Sequence, residues 1–221
     1  MGKLIVLDGI DGCGKTTQFE LLSKKLSEMN VPVRPVSFPE YDKPSAALVK
    51  MYLSGDFSKV PDGVNAYAAS SFYAVDRFAS YKLYWEEAYR NGSLILASRY
   101  TTSNAIHQMG KLPRKQWDDY LCWLEDYEYN KLGLPKPDCV IFLSLPIEVS
   151  QKLLMERYGG DSGKKDIHES DAEYLRQCLV SAEYAAKKMG WRVVDCSEGE
   201  NIRSISSIHE ELFEIFTEVN S

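Results

Sequence analysis

The residues best suited to chemistry stand close to the N-terminus. Gly9-Ile10-Asp11-Gly12-Cys13-Gly14-Lys15-Thr16 fits G-x-x-x-x-G-K-[ST] at every fixed position. The segment follows an apolar run, Lys3 to Leu7, and precedes a helical pattern of Phe19, Leu22 and Leu26, so it joins a strand to a helix N-terminus. Glycines let the backbone curl around an anion with its N–H groups turned inward, and the helix end adds a partial positive charge of roughly +0.5. In such a loop Gly9, Asp11, Gly12, Cys13, Gly14, Lys15, Thr16 and Thr17 surround the phosphates of a nucleotide. Lys15 bridges the β and γ phosphates and the Thr16 hydroxyl ligates Mg2+. A turn that merely links two elements has no use for Lys and Thr at these spacings. The loop alone does not separate a kinase from a GTPase or a motor ATPase.

Other residues supply candidates for a second ligand. Asp11 sits within the loop, where a carboxylate beside phosphates is unfavourable unless it meets a hydroxyl or a cation; Asp is also common in plain turns. Arg77 and Arg99 carry a donor fork that matches phosphate and carbonyl oxygens, although a helix arginine such as Arg77 also serves in ordinary ion pairs. Arg99 follows an apolar run and should project at the carboxyl end of a sheet, where ligands of α/β proteins sit. Tyr73, beside Phe72 and four residues before Arg77, shares a helix face with it; an aromatic at that spacing also suits a core. Asn104 and Gln108 are amides, able to donate and accept together. Tyr158 to Lys165, with three glycines and two lysines, is the segment built to move, with Arg157 at its edge. A solvated charged loop reads the same way.

These residues need a frame. Apolar runs recur at Val33 to Phe38, Leu94 to Ala97, Cys139 to Leu145 and Arg192 to Val194, separated mostly by long helical stretches. Five strands alternating with helices predict an α/β fold, a doubly wound parallel sheet whose helices cover both faces, in a single domain spanning 1–221. Ala66 to Tyr89, rich in Ala and aromatics, predicts a long helix beside the site. A net charge of −6 argues against a broad nucleic-acid surface, which needs many cations. MGKLIVLDG offers neither a signal-peptide core nor a membrane span, and Val6 breaks the myristoylation pattern, so a cytoplasmic location and no membrane partner are expected. The five cysteines lack metal or disulfide spacing and read as reduced thiols. His107, His168 and His209 form no metal or triad pattern and read as structural or surface residues.

In order and spacing, the phosphate loop together with Phe38-Pro39-Glu40, Asp76-Arg77 and Ser98-Arg99-Tyr100, then Ser103 and Asn104, resembles the thymidylate kinase family of P-loop nucleoside monophosphate kinases across nearly the whole chain. The resemblance implies a five-stranded sheet of the P-loop NTPase type with a mobile lid at about 157–169, ATP and Mg2+ as cofactors, dTMP as acceptor and a homodimer. It implies that Asp11 approaches the 3′-hydroxyl of the acceptor and that Phe38 and Pro39 border it. Tyr73 would stack on thymine, Arg77 would hold the base and phosphate, and Arg99 the phosphate. Tyr100 would flank the deoxyribose, and Asn104, with Gln108 near, would bond the base. Lys15, Arg99, Asp11 and Arg157 would carry catalysis, with Lys164 and Lys165 helping.

The chain departs from the family in four places. Gly12 replaces an Arg found in some members, Ser98 replaces the usual Asp, Tyr41 stands where many relatives have a phosphate-binding Arg, and Ile167 follows Asp166 in the lid. Asp8, Asp11 or Glu169 could replace the missing carboxylate, and Arg77, Arg99 or Lys43 the missing cation. Another nucleotide or nucleoside as acceptor, a nucleotide-binding regulatory protein and an inactive relative are the alternatives.

Overall fold

Each apolar run of the sequence becomes a parallel strand: β1 Leu4–Gly9, β2 Val33–Ser37, β3 Leu94–Ser98, β4 Cys139–Ser144 and β5 Arg192–Asp195. The computed structural model describes residues 1–157, 159 and 172–220. The sheet order is β2-β3-β1-β4-β5. Pairing runs from Leu4↔Ile95 to Leu7↔Ser98 on one side of β1 and from Ile5↔Cys139 to Gly9↔Leu143 on the other. Every residue of β1 and β3 is buried, which is why these strands read as unbroken apolar runs and not as alternating ones.

Helix α1, Lys15–Glu28, packs against α9, Ile205–Asn220, while α5, Thr102–His107, packs against α8, Ala172–Met189. The first connection leaves β1 toward β2 and a later one leaves β3 toward β4 on the opposite side, so a crevice opens past the carboxyl ends of β1 and β3. The loops Ile10 to Gly14 and Arg99 to Thr101 emerge there.

Between β2 and β3 lie α2, Ala47–Leu53, and α3, Ala66–Ser80, which runs through a wide π-type turn at Tyr81–Trp85 into α4, Glu86–Arg90. The expected long helix is therefore present but interrupted. Tyr81, Trp85 and Tyr89 face inward, with ring centroids 4.7 and 6.2 Å apart along the series, while Lys82 and Arg90 each pair with Glu86 outside. A second π-type turn, Asp126–Lys131, prolongs α6, Trp117–Glu125. Helix α7, Ile147–Arg157, follows β4. A hairpin of two-residue strands, β6 Ser197–Glu198 and β7 Asn201–Ile202, turns at Gly199; strands this short carry no readable period, and the sequence reading did not include them. Among the described residues, no helix is long and apolar enough to cross a membrane. The cysteines are all free, and Cys122 is the exposed one.

Candidate active site

The phosphate loop has the shape its glycines predict. Gly12 and Gly14 take left-handed φ values of 80° and 83°, a region that strains residues with a Cβ. Helix α1 begins without a capping side chain and without an acidic residue in its first turn. Its N-terminal N–H groups are thus left for an anion. Lys15 is buried and donates to Gly9 O at 3.3 Å, while the Thr16 and Thr17 side chains lie exposed at the rim. Asp11, Gly12, Cys13, Gly14, Lys15, Thr16 and Thr17 line a cavity of about 790 Å³ whose far wall is Leu153, Leu154, Ile202, Arg203, Ile205 and Ile208. Arg203 is anchored there by Asp195 O at 2.6 Å and Glu211 at 2.7 Å.

Arg99 stands at the meeting point of this cavity and a second one. Its φ of 63° is rare for a residue with a side chain, and its backbone N–H bonds Leu7 O at 3.0 Å. The guanidinium donates to Asp11 through Nη2, and its Nη1 lies 2.9 Å from His107 Nε2 and 3.5 Å from Asp8 Oδ1. Burial pulls the guanidinium pKa down, but Asp11 and Asp8 outweigh burial and the net shift is upward. A guanidinium only donates, so His107 accepts at Nε2 and carries its proton on Nδ1. Asp8 is fully buried and takes Gly9 N at 2.8 Å, Thr102 Oγ1 at 2.6 Å and Ser103 Oγ at 2.8 Å.

The second cavity is a narrow slot of about 80 Å³. It brings together Asp11, Phe38, Pro39, Tyr73, Arg77, Arg99, Asn104 and Gln108, all expected, with Tyr41, Leu53, Ser103 and His107. Asp76 shapes its rim by accepting Glu40 N at 2.9 Å and Ser45 Oγ at 2.6 Å. Arg77 is 1% exposed and forms a two-pronged pair with Glu128, Nε to Oε2 at 2.7 Å and Nη2 to Oε1 at 2.5 Å. Burial alone would lower its pKa; Glu128 reverses the sign. Asn104 Nδ2 bonds the same Glu128 at 2.9 Å and Ser70 O at 3.2 Å. Gln108 is fully buried at the slot, and among the described residues neither atom of its amide has a hydrogen-bond partner. A buried amide left unpaired is costly, so the slot fits a ligand that both donates and accepts.

The geometry is that of a nucleotide loop joined to a second, polar slot, and the comparisons agree with it. The family model described as thymidylate kinase matches residues 7–211. The chain belongs to the thymidylate kinase family. A thymidylate kinase of Mycobacterium tuberculosis is 31% identical over 196 residues, covering 86% of this chain and 90% of the relative. One from Plasmodium falciparum is 26% identical over 220 residues, covering 99% and 91%. A solved thymidylate kinase structure from Candida albicans matches with a TM-score of 0.70 at 23% identity, over 98% of this chain and 91% of that one, a likeness of fold.

Against the thymidylate kinase pattern, several positions need correction. Tyr100 is fully buried behind the slot, its hydroxyl on Pro135 O at 3.1 Å and its ring 5.9 Å from Phe38. It lines neither cavity beside the site, whereas Tyr41, Ser103 and His107 line the slot. His107, read from sequence as structural or surface, is a slot residue. Lys43 lies 4.7 Å from the Tyr84 ring and lines neither cavity. Tyr73 and not Phe72 faces the slot; Phe72 packs on Phe57 at 5.4 Å. A Cβ on Gly12 would meet Ser150 O at 2.7 Å and Leu154 Cγ at 2.9 Å, so α7 occupies the space an arginine there would need. The Arg157 side chain and the lid residues Lys164, Lys165, Asp166, Ile167 and Glu169 lie outside the described residues. Glu128 and the Ile202 to Ile208 wall were missed in the sequence.

Proposed function

We infer that the chain transfers the γ-phosphoryl group of MgATP to dTMP, giving ADP and dTDP. The observation that carries this reading is the shared wall. Asp11, Phe38, Pro39, Tyr41 and Arg99 line both the phosphate-loop cavity and the slot, so a donor phosphate and an acceptor phosphate meet at Arg99. In-line transfer between two bound phosphates rests on positioning and charge neutralisation. A phosphate monoester is already ionised at neutral pH, so no general base is required.

In this reading Lys15 and the N-terminus of α1 hold the donor phosphates, and Arg99 holds the acceptor phosphate beside them. Arg77 has its charge balanced by Glu128 and serves the base. Asp11 takes the 3′-hydroxyl, Tyr73 lies along the base, and Asn104 and Gln108 face its polar edge. Arg157 is the lid cation.

Among the described residues, no group of three or more His, Cys, Asp and Glu side chains is arranged to hold a metal. Asp8 is engaged by hydroxyls and Asp11 by Arg99. The Thr16 hydroxyl would then hold Mg2+ together with phosphate oxygens and water, its habitual company, and the ion would supply charge neutralisation across the transferring group.

Val75, Phe78, Leu83 and Tyr84, from α3 and the wide turn after it, are exposed apolar side chains; they support a homodimer through this surface. The inward residues Tyr81, Trp85 and Tyr89 cannot serve it.

The test is ADP release from MgATP with dTMP, dUMP, dGMP, dCMP and thymidine offered separately. Stimulation strongest with dTMP is expected. Stimulation by a purine nucleotide instead discards the roles given to Asn104 and Gln108, and none with any acceptor discards the kinase.

A further inference from the structure

Behind the slot lies a carboxylate that no motif announced. Glu128 is fully buried, yet it lies on the wide turn that ends α6, 51 residues from Arg77 and 24 from Asn104 in sequence. We propose that Glu128 is a positioning residue for base selection: it sets the orientation of the Asn104 amide, and so makes the slot accept a pyrimidine with an N–H at ring position 3 over one with a lone pair there. The inference rests on the acceptor reading given above and adds to it the origin of the choice between thymine and cytosine.

The argument is one of donors and acceptors. An ionised carboxylate only accepts, and so does a backbone carbonyl. The two groups against the Asn104 amide on its inner side are Glu128 Oε1 at 2.9 Å and Ser70 O at 3.2 Å. Nitrogen must therefore face them, because the reversed amide would set its oxygen against two acceptors without a proton between. The amide nitrogen being held inward, the oxygen Oδ1 is what Asn104 has left for a ligand. An oxygen acceptor bonds the N3–H of thymine or uracil and opposes the N3 lone pair of cytosine. The same carboxylate grips Arg77 through two bonds, which holds that guanidinium, a donor matched to a carbonyl at ring position 4, in one plane. Both readers of the base edge are fixed by one side chain that itself has no place in the slot lining.

Glu128→Gln keeps the shape but adds a donor, so the Asn104 amide is no longer held one way. The experiment measures kcat/KM for dTMP and for dCMP in wild type and in Glu128→Gln, with KM for ATP and the thermal midpoint as controls on the fold. The dTMP-to-dCMP ratio is expected to fall roughly 10-fold or more, through KM of the nucleotide more than through kcat, with KM for ATP unchanged. A folded variant with the wild-type ratio overturns the proposal, even if its overall turnover is low. If Glu128→Gln does not fold, side-chain amide NMR on the wild type decides. The Asn104 NH2 protons, assigned by their loss in Asn104→Leu, should exchange slowly with and without dTMP; rapid exchange, or exchange that slows only when dTMP binds, overturns it. Wild type that releases no ADP with dTMP sinks the acceptor reading itself, whereas active wild type with an unaltered ratio in the variant sinks this inference alone.

Discussion

Arg99 carries more of the proposed chemistry than any other residue. Arg99→Ala should lower kcat by ~100- to 1,000-fold, the usual loss for a charge aimed at a transition state. The fold should survive, because Asp8 keeps its bonds from Gly9 N, Thr102 and Ser103; steady-state kinetics with circular dichroism would show near-normal turnover if the role is wrong. At Gly12, restoring the arginine that some relatives carry should harm the enzyme. The left-handed φ costs a non-glycine residue roughly 1–2 kcal/mol, and the Cβ also presses on Ser150 O. Urea unfolding of Gly12→Arg should show that loss together with reduced turnover, and a stable, faster variant would contradict it. The phosphate loop was legible because its chemistry is local. Glu128 was not, since no motif marks it and only tertiary packing brings it to Arg77. Tyr100 misled for a similar reason: the left-handed turn at Arg99 redirects the chain, so the neighbour of a site residue enters the core.

At the scale of elements, strands were the easiest to read, because a buried parallel strand is an uninterrupted apolar run. The wide turns after α3 and α6 and the hairpin before α9 were illegible, being set by packing and by two-residue pairings. Lys111, in the short turn after α5, shows what such packing does to a charge. It donates to Tyr52 OH at 2.6 Å and Val64 O at 3.2 Å, and burial, opposed by Asp62, brings its pKa down to about 8 from 10.5. The unfolded chain thus holds this proton up to a higher pH than the native one. Below pH 8 both states are charged; between about 8 and 10.5 the unfolded state binds more protons, and native stability rises with pH. Measured as the difference between wild type and Lys111→Met, which cancels other groups, urea stability should favour wild type increasingly over that window, by roughly 1 kcal/mol per pH unit or less. A flat difference would mean the lysine is not held this way.

For the whole molecule, the exposed apolar residues on α3 and its wide turn predict association. Sedimentation should give twice the mass of one chain, and Phe78→Glu should halve it while leaving the thermal transition cooperative; a wild-type monomer would refute the dimer. The bond between Arg99 and Asp11 has a wider consequence. The guanidinium has an anion of its own, so an acceptor phosphate gains only the difference between its attraction and the one it displaces, and Asp11 needs a new donor as it lets go. In the proposed reading a deoxynucleotide brings both halves of that exchange, a dianion for Arg99 and a 3′-hydroxyl for Asp11. Inorganic phosphate brings only the first and thymidine only the second. On that reading selection lies in the simultaneity of the swap, which would leave the protein indifferent to free phosphate in its surroundings.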